Sequence, residues 1–188
     1  MAMTSNMKIN GLVAVTAALL WIFSFALNDW LLAFAQHTPG IHLVFLPSGV
    51  RLLALLIGGF WAAAGVTLGV FCCLVFEFGP SGLNRLAALA VANGFGAYLA
   101  LLAVCRIAGL APSLENLRPV HLPLVALGVG LGSSALTNAL YIGFGQDQWE
   151  NYVEHVAAMA AGDVVGSLIM IMLVMGMLRL WRVTRKAA

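Results

Sequence analysis

Apolar residues in this chain fall into six long runs, and polar residues gather mainly at the joints between them. The runs cover residues 10–35, 41–57, 60–78, 83–107, 121–144 and 153–181. A helix needs roughly 20 apolar residues to cross a bilayer. The last run is longer than that, so its first turns stand above the bilayer or the helix tilts. The joints are short. Gly58–Gly59 leaves almost no loop between the second and third runs, and "FGPSG" at 78–82 is a turn sequence. "GLAPSLENLRP" at 109–119 is the longest polar connection, and "GQDQWEN" at 145–151 precedes the last run.

This pattern predicts an all-α fold, a polytopic integral membrane bundle of about six transmembrane helices with one helix broken or kinked at Pro47. It is expected to be a single transmembrane domain over residues 1–188, with no soluble output domain. Composition strengthens the class: 62% of residues are hydrophobic and only 9% charged, against about 25% charged in soluble domains. The apolar stretch at 12–32 after Lys8 is too long for the core of a cleaved signal peptide and is expected to be a retained first span.

The charges set a topology. Six spans from an inside N-terminus put Lys8, Arg106, Arg118, Arg179, Arg182, Arg185 and Lys186 inside, and only Arg85 outside. Asp29, Glu77, Asp147, Glu150 and Glu154 then fall outside. The expected setting is a bacterial inner (cytoplasmic) membrane, multi-pass, with both termini cytoplasmic. No basic run with interleaved aromatics supports nucleic-acid binding. Cys72, Cys73 and Cys105 lie in apolar runs without metal-ligand spacing and read as small packing residues. Trp30, Trp149 and Trp181 suit interfacial anchoring among membrane lipids. The pairs Gly65/Gly69, Gly128/Gly132 and Gly162/Gly166 have the spacing that lets helices approach closely.

Two charges stand inside apolar runs. In "LPSGVRL" at 46–52, Pro47 suits the first turn of a helix, so a helix starts at Pro47 or Ser48 and residues 41–46 enter the membrane in irregular form. Arg51 then lies in the outer half of the membrane. Asp163, ten residues into a helix that starts near Val153, lies about 15 Å along its axis. Opposite charges at similar depth are expected to pair, because each alone is expensive in hydrocarbon. His155 and Asp163 are eight residues apart, about 80° around the helix, with Met159 between them. Asn28 and Asp29 close the first helix, His37 and His42 bracket the first outer loop, and Asn93 and Asn138 are amides that need partners. The candidate ligand-binding residues are therefore Arg51, Asp163, His155, Asn28, Asp29 and His42. No metal site, cofactor or catalytic residue is expected: no two of His37, His42 and His155 share helical spacing, and neither HExxH nor GxSxG occurs.

The segments "LPSGVRLLALLIGGFWAAAGVTLG" at 46–69 and "GDVVGSLIMIML" at 162–173 resemble elements of bacterial membrane-associated sensor domains of the MASE type. Those domains stand ahead of diguanylate cyclases or histidine kinases. This chain is expected to carry no output domain after Arg185, and it departs from the motif in placing Arg51 where the motif has an apolar or small residue. The resemblance implies a stand-alone sensor that signals to a partner. A second, looser likeness in size and span count is to substrate-binding S components of energy-coupling-factor transporters. The expected function is binding a small polar or anionic ligand from the outer side and signalling to an inner-face partner, a kinase, cyclase or transporter subunit. The alternatives are small-molecule transport and a membrane scaffold.

Overall fold

The computed structural model describes residues 2–32, 36–38, 41–42, 44–110 and 116–187. In chain order it contains α1 (Ala2–Leu32), a short antiparallel pair β1 (Gln36–Thr38) and β2 (Ile41–His42), and α2 (Leu46–Phe78). There follow α3 (Leu83–Val91), α4 (Ala97–Ile107), α5 (Leu122–Gly143) and α6 (Tyr152–Ala187). A wide π turn at Ala92–Gly96 joins α3 to α4. Among the described residues, five helical stretches are long and apolar enough to cross a membrane: Met7–Leu32, Leu46–Phe78, Leu83–Ile107, Pro119–Gly143 and Trp149–Arg182. This is the architecture of an all-α, multi-pass membrane protein. Ile57, Phe76 and Ile107 are almost fully exposed, as side chains facing hydrocarbon would be.

The structure differs from the expectation in two details. Among the described residues five helices meet the length and apolarity of a span, because runs 41–57 and 60–78 are joined in α2. The break in α2 falls at Gly59, not at Pro47. Pro47 occupies the first turn, where a helix has no use for the missing amide hydrogen. Gly59 has φ 52 and ψ −129, a conformation open to glycine and strained for any side chain.

The contacts of α1 show what this break does. Before it, Leu46 lies at Asn28 and Gly58 lies against Val13. Beyond it, Gly65 lies against Ala14 and Gly69 against Ala18 and Trp21. The first arm of α2 (46–58) thus runs against α1 and the second arm (60–78) runs with it.

Close backbone approach holds these pieces together. Gly166 of α6 meets the Phe45 carbonyl, Gly65 meets the Ala14 carbonyl, and Gly132 faces Ala100. The glycine pairs picked out by spacing therefore sit at helix contacts. The irregular entry to α2 has its polar groups satisfied inside the protein, as irregular backbone at depth requires. Phe45 N donates to Gly162 O at 3.2 Å and Leu46 N to Asn28 Oδ1 at 2.9 Å. Ser48 Oγ lies 2.6 Å from Phe45 O and 2.7 Å from Asp163 O.

Two apolar clusters fill the bundle. One joins Leu52 and Leu55 of the first arm to Leu101, Val125, Val129 and Ile171. The other joins Ala17 and Trp21 of α1 to Ala62, Val66 and Val70 of the second arm and Ala90 of α3.

A methyl group at position 166 would collide with the main chain of Phe45, which cannot yield without moving the start of α2. Gly166→Ala is expected to lose about 1–3 kcal/mol of folded stability, the usual cost of overpacking. Gly11→Ala, where the space is open, is expected to lose none. Thermal melting of both variants in mild detergent checks this.

Candidate functional site

The first arm of α2 places Arg51 one turn below its N-terminus, with its side chain only 1% exposed. A guanidinium buried in an apolar bundle must have its donors met. Nη2 donates to Asp163 Oδ2 at 2.6 Å and to Ser133 Oγ at 3.1 Å. Nη1 lies 3.2 Å from Asn93 Oδ1 and 3.4 Å from Asn93 O. The face of Trp21 lies 6.0 Å from the guanidinium carbon. Nε has no hydrogen-bond partner among the described residues. Arg51 and Asp163 thus form the expected ion pair, with the acid only 3% exposed.

Each partner is delivered by a local feature of the chain. Asn93 sits in the π turn, a wide turn of a kind frequent at functional sites. Its amide is anchored by Nδ2 to Leu89 O at 3.1 Å, which leaves Oδ1 facing Arg51. Ser133 lies 3.2 Å from Gly130 O and 3.3 Å from Asp163 Oδ2, so one hydroxyl touches both charged groups. Gly130 faces the Cβ of Asp163 and lets α5 lie close to α6 there.

Depth follows from the spans. Trp21 in Met7–Leu32, Asn93 in Leu83–Ile107, Ser133 in Pro119–Gly143 and Asp163 in Trp149–Arg182 each stand within three residues of the middle. The pair therefore lies level with the middle of four of these helices, while Arg51 itself stands in the first turns of Leu46–Phe78.

The other candidates are elsewhere. His155 does not join the pair: its Nδ1 lies 2.5 Å from Asp147 Oδ2, near the turn between α5 and α6. Asn28 is fully buried but caps the start of α2 through Oδ1, and its Nδ2 has no partner among the described residues. Asp29 is exposed at the end of α1. The backbone of His42 is in β2, and its side chain lies outside the described residues. Sequence reasoning missed Ser133, Ser48 and Trp21. The only available signal was the polar run "SSALTN" at 133–138 inside an apolar helix. Among the described residues, no three His, Cys, Asp or Glu side chains converge as metal ligands.

Asp147 stands in the turn outside the spans. Burial pushes its carboxyl up, but hydrogen bonds from Asn151, Gln148 N–H and His155 outweigh this and hold it below the usual carboxylate range. The arrangement at mid-span is a neutral, tightly held pair that ties α2 to α5, α6 and the π turn. It offers a guanidinium whose acidic partner could be exchanged for another acid.

Comparison of the chain with protein-family models, with curated proteins and with solved structures finds no match.

Removing one hydrogen-bonding neighbour leaves a buried charge short of a partner. Ser133→Ala and Asn93→Leu are each expected to cost about 1–3 kcal/mol in unfolding free energy. For Asp147 the folded state holds the acid more strongly ionised than the unfolded chain does. Its contribution is present above the unfolded pKa and disappears as pH falls through the folded one. Asp147→Asn is therefore expected to lower the melting temperature at neutral pH and to match the parent protein below the carboxylate range.

Proposed function

We propose that this is a membrane recognition protein that senses rather than converts its ligand. A small polar or anionic molecule arriving from the outer side takes the place of Asp163 on Arg51. A planar guanidinium holds carboxylates and phosphates in two-pronged geometry, which suits it to that exchange. The observation that carries the reading is the Arg51–Asp163 pair itself, a single buried contact on which four helical elements converge.

Release of Asp163 would loosen α6 from the first arm of α2. α6 continues to Ala187, and beyond Ile171 its side chains are largely exposed, ending in Arg179, Arg182 and Arg185. That end is where an inner-face partner, a kinase or cyclase in keeping with the MASE-type resemblance, would receive the change. In this reading the two arms of α2 both cross the bilayer and give six crossings. The Lys and Arg bias then puts both termini on the cytoplasmic side of a bacterial inner membrane.

A second reading, transport as an S-component-like subunit or small carrier, is favoured by one feature. A helix broken at Gly59 beside mid-span charges is the kind of construction that carriers use for binding sites.

The test uses protein in nanodiscs against a panel of small carboxylates and phosphates. A recognised acid is expected to raise the melting temperature of the parent protein and not that of Arg51→Lys. Spin labels at Ile57→Cys and Leu180→Cys, with Cys72, Cys73 and Cys105 replaced by alanine, are expected to change separation on binding. Uptake of the same acid into liposomes without that change would favour transport. No stabilisation by any acid would contradict both.

A further inference from the structure

The seam between α5 and α6 contains polar groups that the Arg51 pair does not use. Asn138 is fully buried, and its Nδ2 donates to Ser134 O at 2.9 Å and lies 3.6 Å from Met159 Sδ. Among the described residues its Oδ1 has no partner, and neither does the Oγ of fully buried Ser134, one turn along α5. Two orphaned polar atoms a turn apart are costly unless water reaches them, and buried waters occupy such places.

Their position gives them a direction. On α6, His155, Met159 and Asp163 follow one another at four-residue steps, about 6 Å each along the axis. Asn138 meets Met159, and Gly130 and Ser133 meet Asp163. Ser134 therefore stands between the level of Met159 and that of the acid. At the head of the same stripe, His155 is paired to Asp147 beside the α5–α6 turn, partly open to solvent. Polar groups thus lead step by step from that turn to the acid at mid-span.

We propose that Asp163 exchanges its proton with the aqueous side bearing the α5–α6 turn, through water held along this seam by Asn138 and Ser134. The proton comes from bulk water, enters past the Asp147–His155 pair, and forms the O–H bond of a neutral Asp163 carboxyl. Arg51 keeps its charge and loses its ionic partner. Of the titratable or charged side chains among the described residues, Arg51 of α2 is the one that faces Asp163; α5 presents Ser133 and Gly130 there, and β2, which also packs on α6, carries His42, whose side chain lies outside the described residues. The proposal deepens the sensing reading by naming the proton as an input to the same pair, and it rests on that reading only for what the input would do.

The test uses Trp21, next to Arg51, as reporter. Trp30, Trp61, Trp149 and Trp181 are replaced by phenylalanine, and the full chain is oriented in phosphatidylcholine liposomes. An acid jump on the side of the α5–α6 turn is expected to change Trp21 emission, and Asp163→Asn is expected to abolish the change. Asn138→Leu is expected to slow it about tenfold, the effect of roughly 1.4 kcal/mol on a barrier, with the same end point. Ser134→Ala, a small change that keeps the fold, is expected to slow it in the same direction. No response in the parent protein, a response only from the opposite side, or unchanged rates in both seam variants would overturn the proposal. Those results leave the ligand-driven movement of α6 untouched, because that is read by the Ile57–Leu180 distance.

Discussion

A guanidinium at mid-span is the constraint around which this bundle is organised. In hydrocarbon, Arg51 cannot stand without an acid and further acceptors. Three other elements are drawn in to supply them: the π turn through Asn93, α5 through Ser133 and α6 through Asp163. The pair is neutral as a whole, so its burial is tolerable while both charges are present. Loss of either one leaves the other stranded, which makes the contact a strong determinant of how these helices sit together.

The backbone is shaped to bring that contact about. Gly59 turns α2 so that its short first arm is inserted between α1 and α6. The entry to that arm is irregular, and Asn28, Gly162 and Asp163 meet its polar groups from both sides. Gly166 and Gly130 then let α6 come close enough for Asp163 to reach Arg51. Main-chain packing and side-chain charge thus act on the same junction.

Much of this was legible in the order of residues. Hydrophobic runs gave the membrane class, and the rule that intramembrane charges pair predicted the Arg51–Asp163 contact. The glycine pairs marked real helix contacts. The start of the helix at Pro47 and the joint at Gly58–Gly59 are legible, but a break at Pro47 is not found: proline is a helix starter in the first turn and a breaker within, and only tertiary contacts choose between them. His155 was drawn toward Asp163 by helical spacing alone, whereas a nearer acid, Asp147, lies across the turn. Ser133 and the π turn left no clear mark in the sequence. A serine in an apolar helix has many possible partners, and a wide turn needs no distinctive residue. The seam formed by Ser134 and Asn138 emerges only when α5 is laid on α6.

A double-mutant cycle on Arg51 and Asp163 probes this organisation most directly, with unfolding followed in detergent for Arg51→Met, Asp163→Leu and the combined variant. Each single change is expected to cost about 3–5 kcal/mol, because it leaves a buried charge unpaired, and the combined variant to recover most of that loss. Single variants as stable as the parent, or losses that simply add in the combined variant, would contradict a structure organised around this pair.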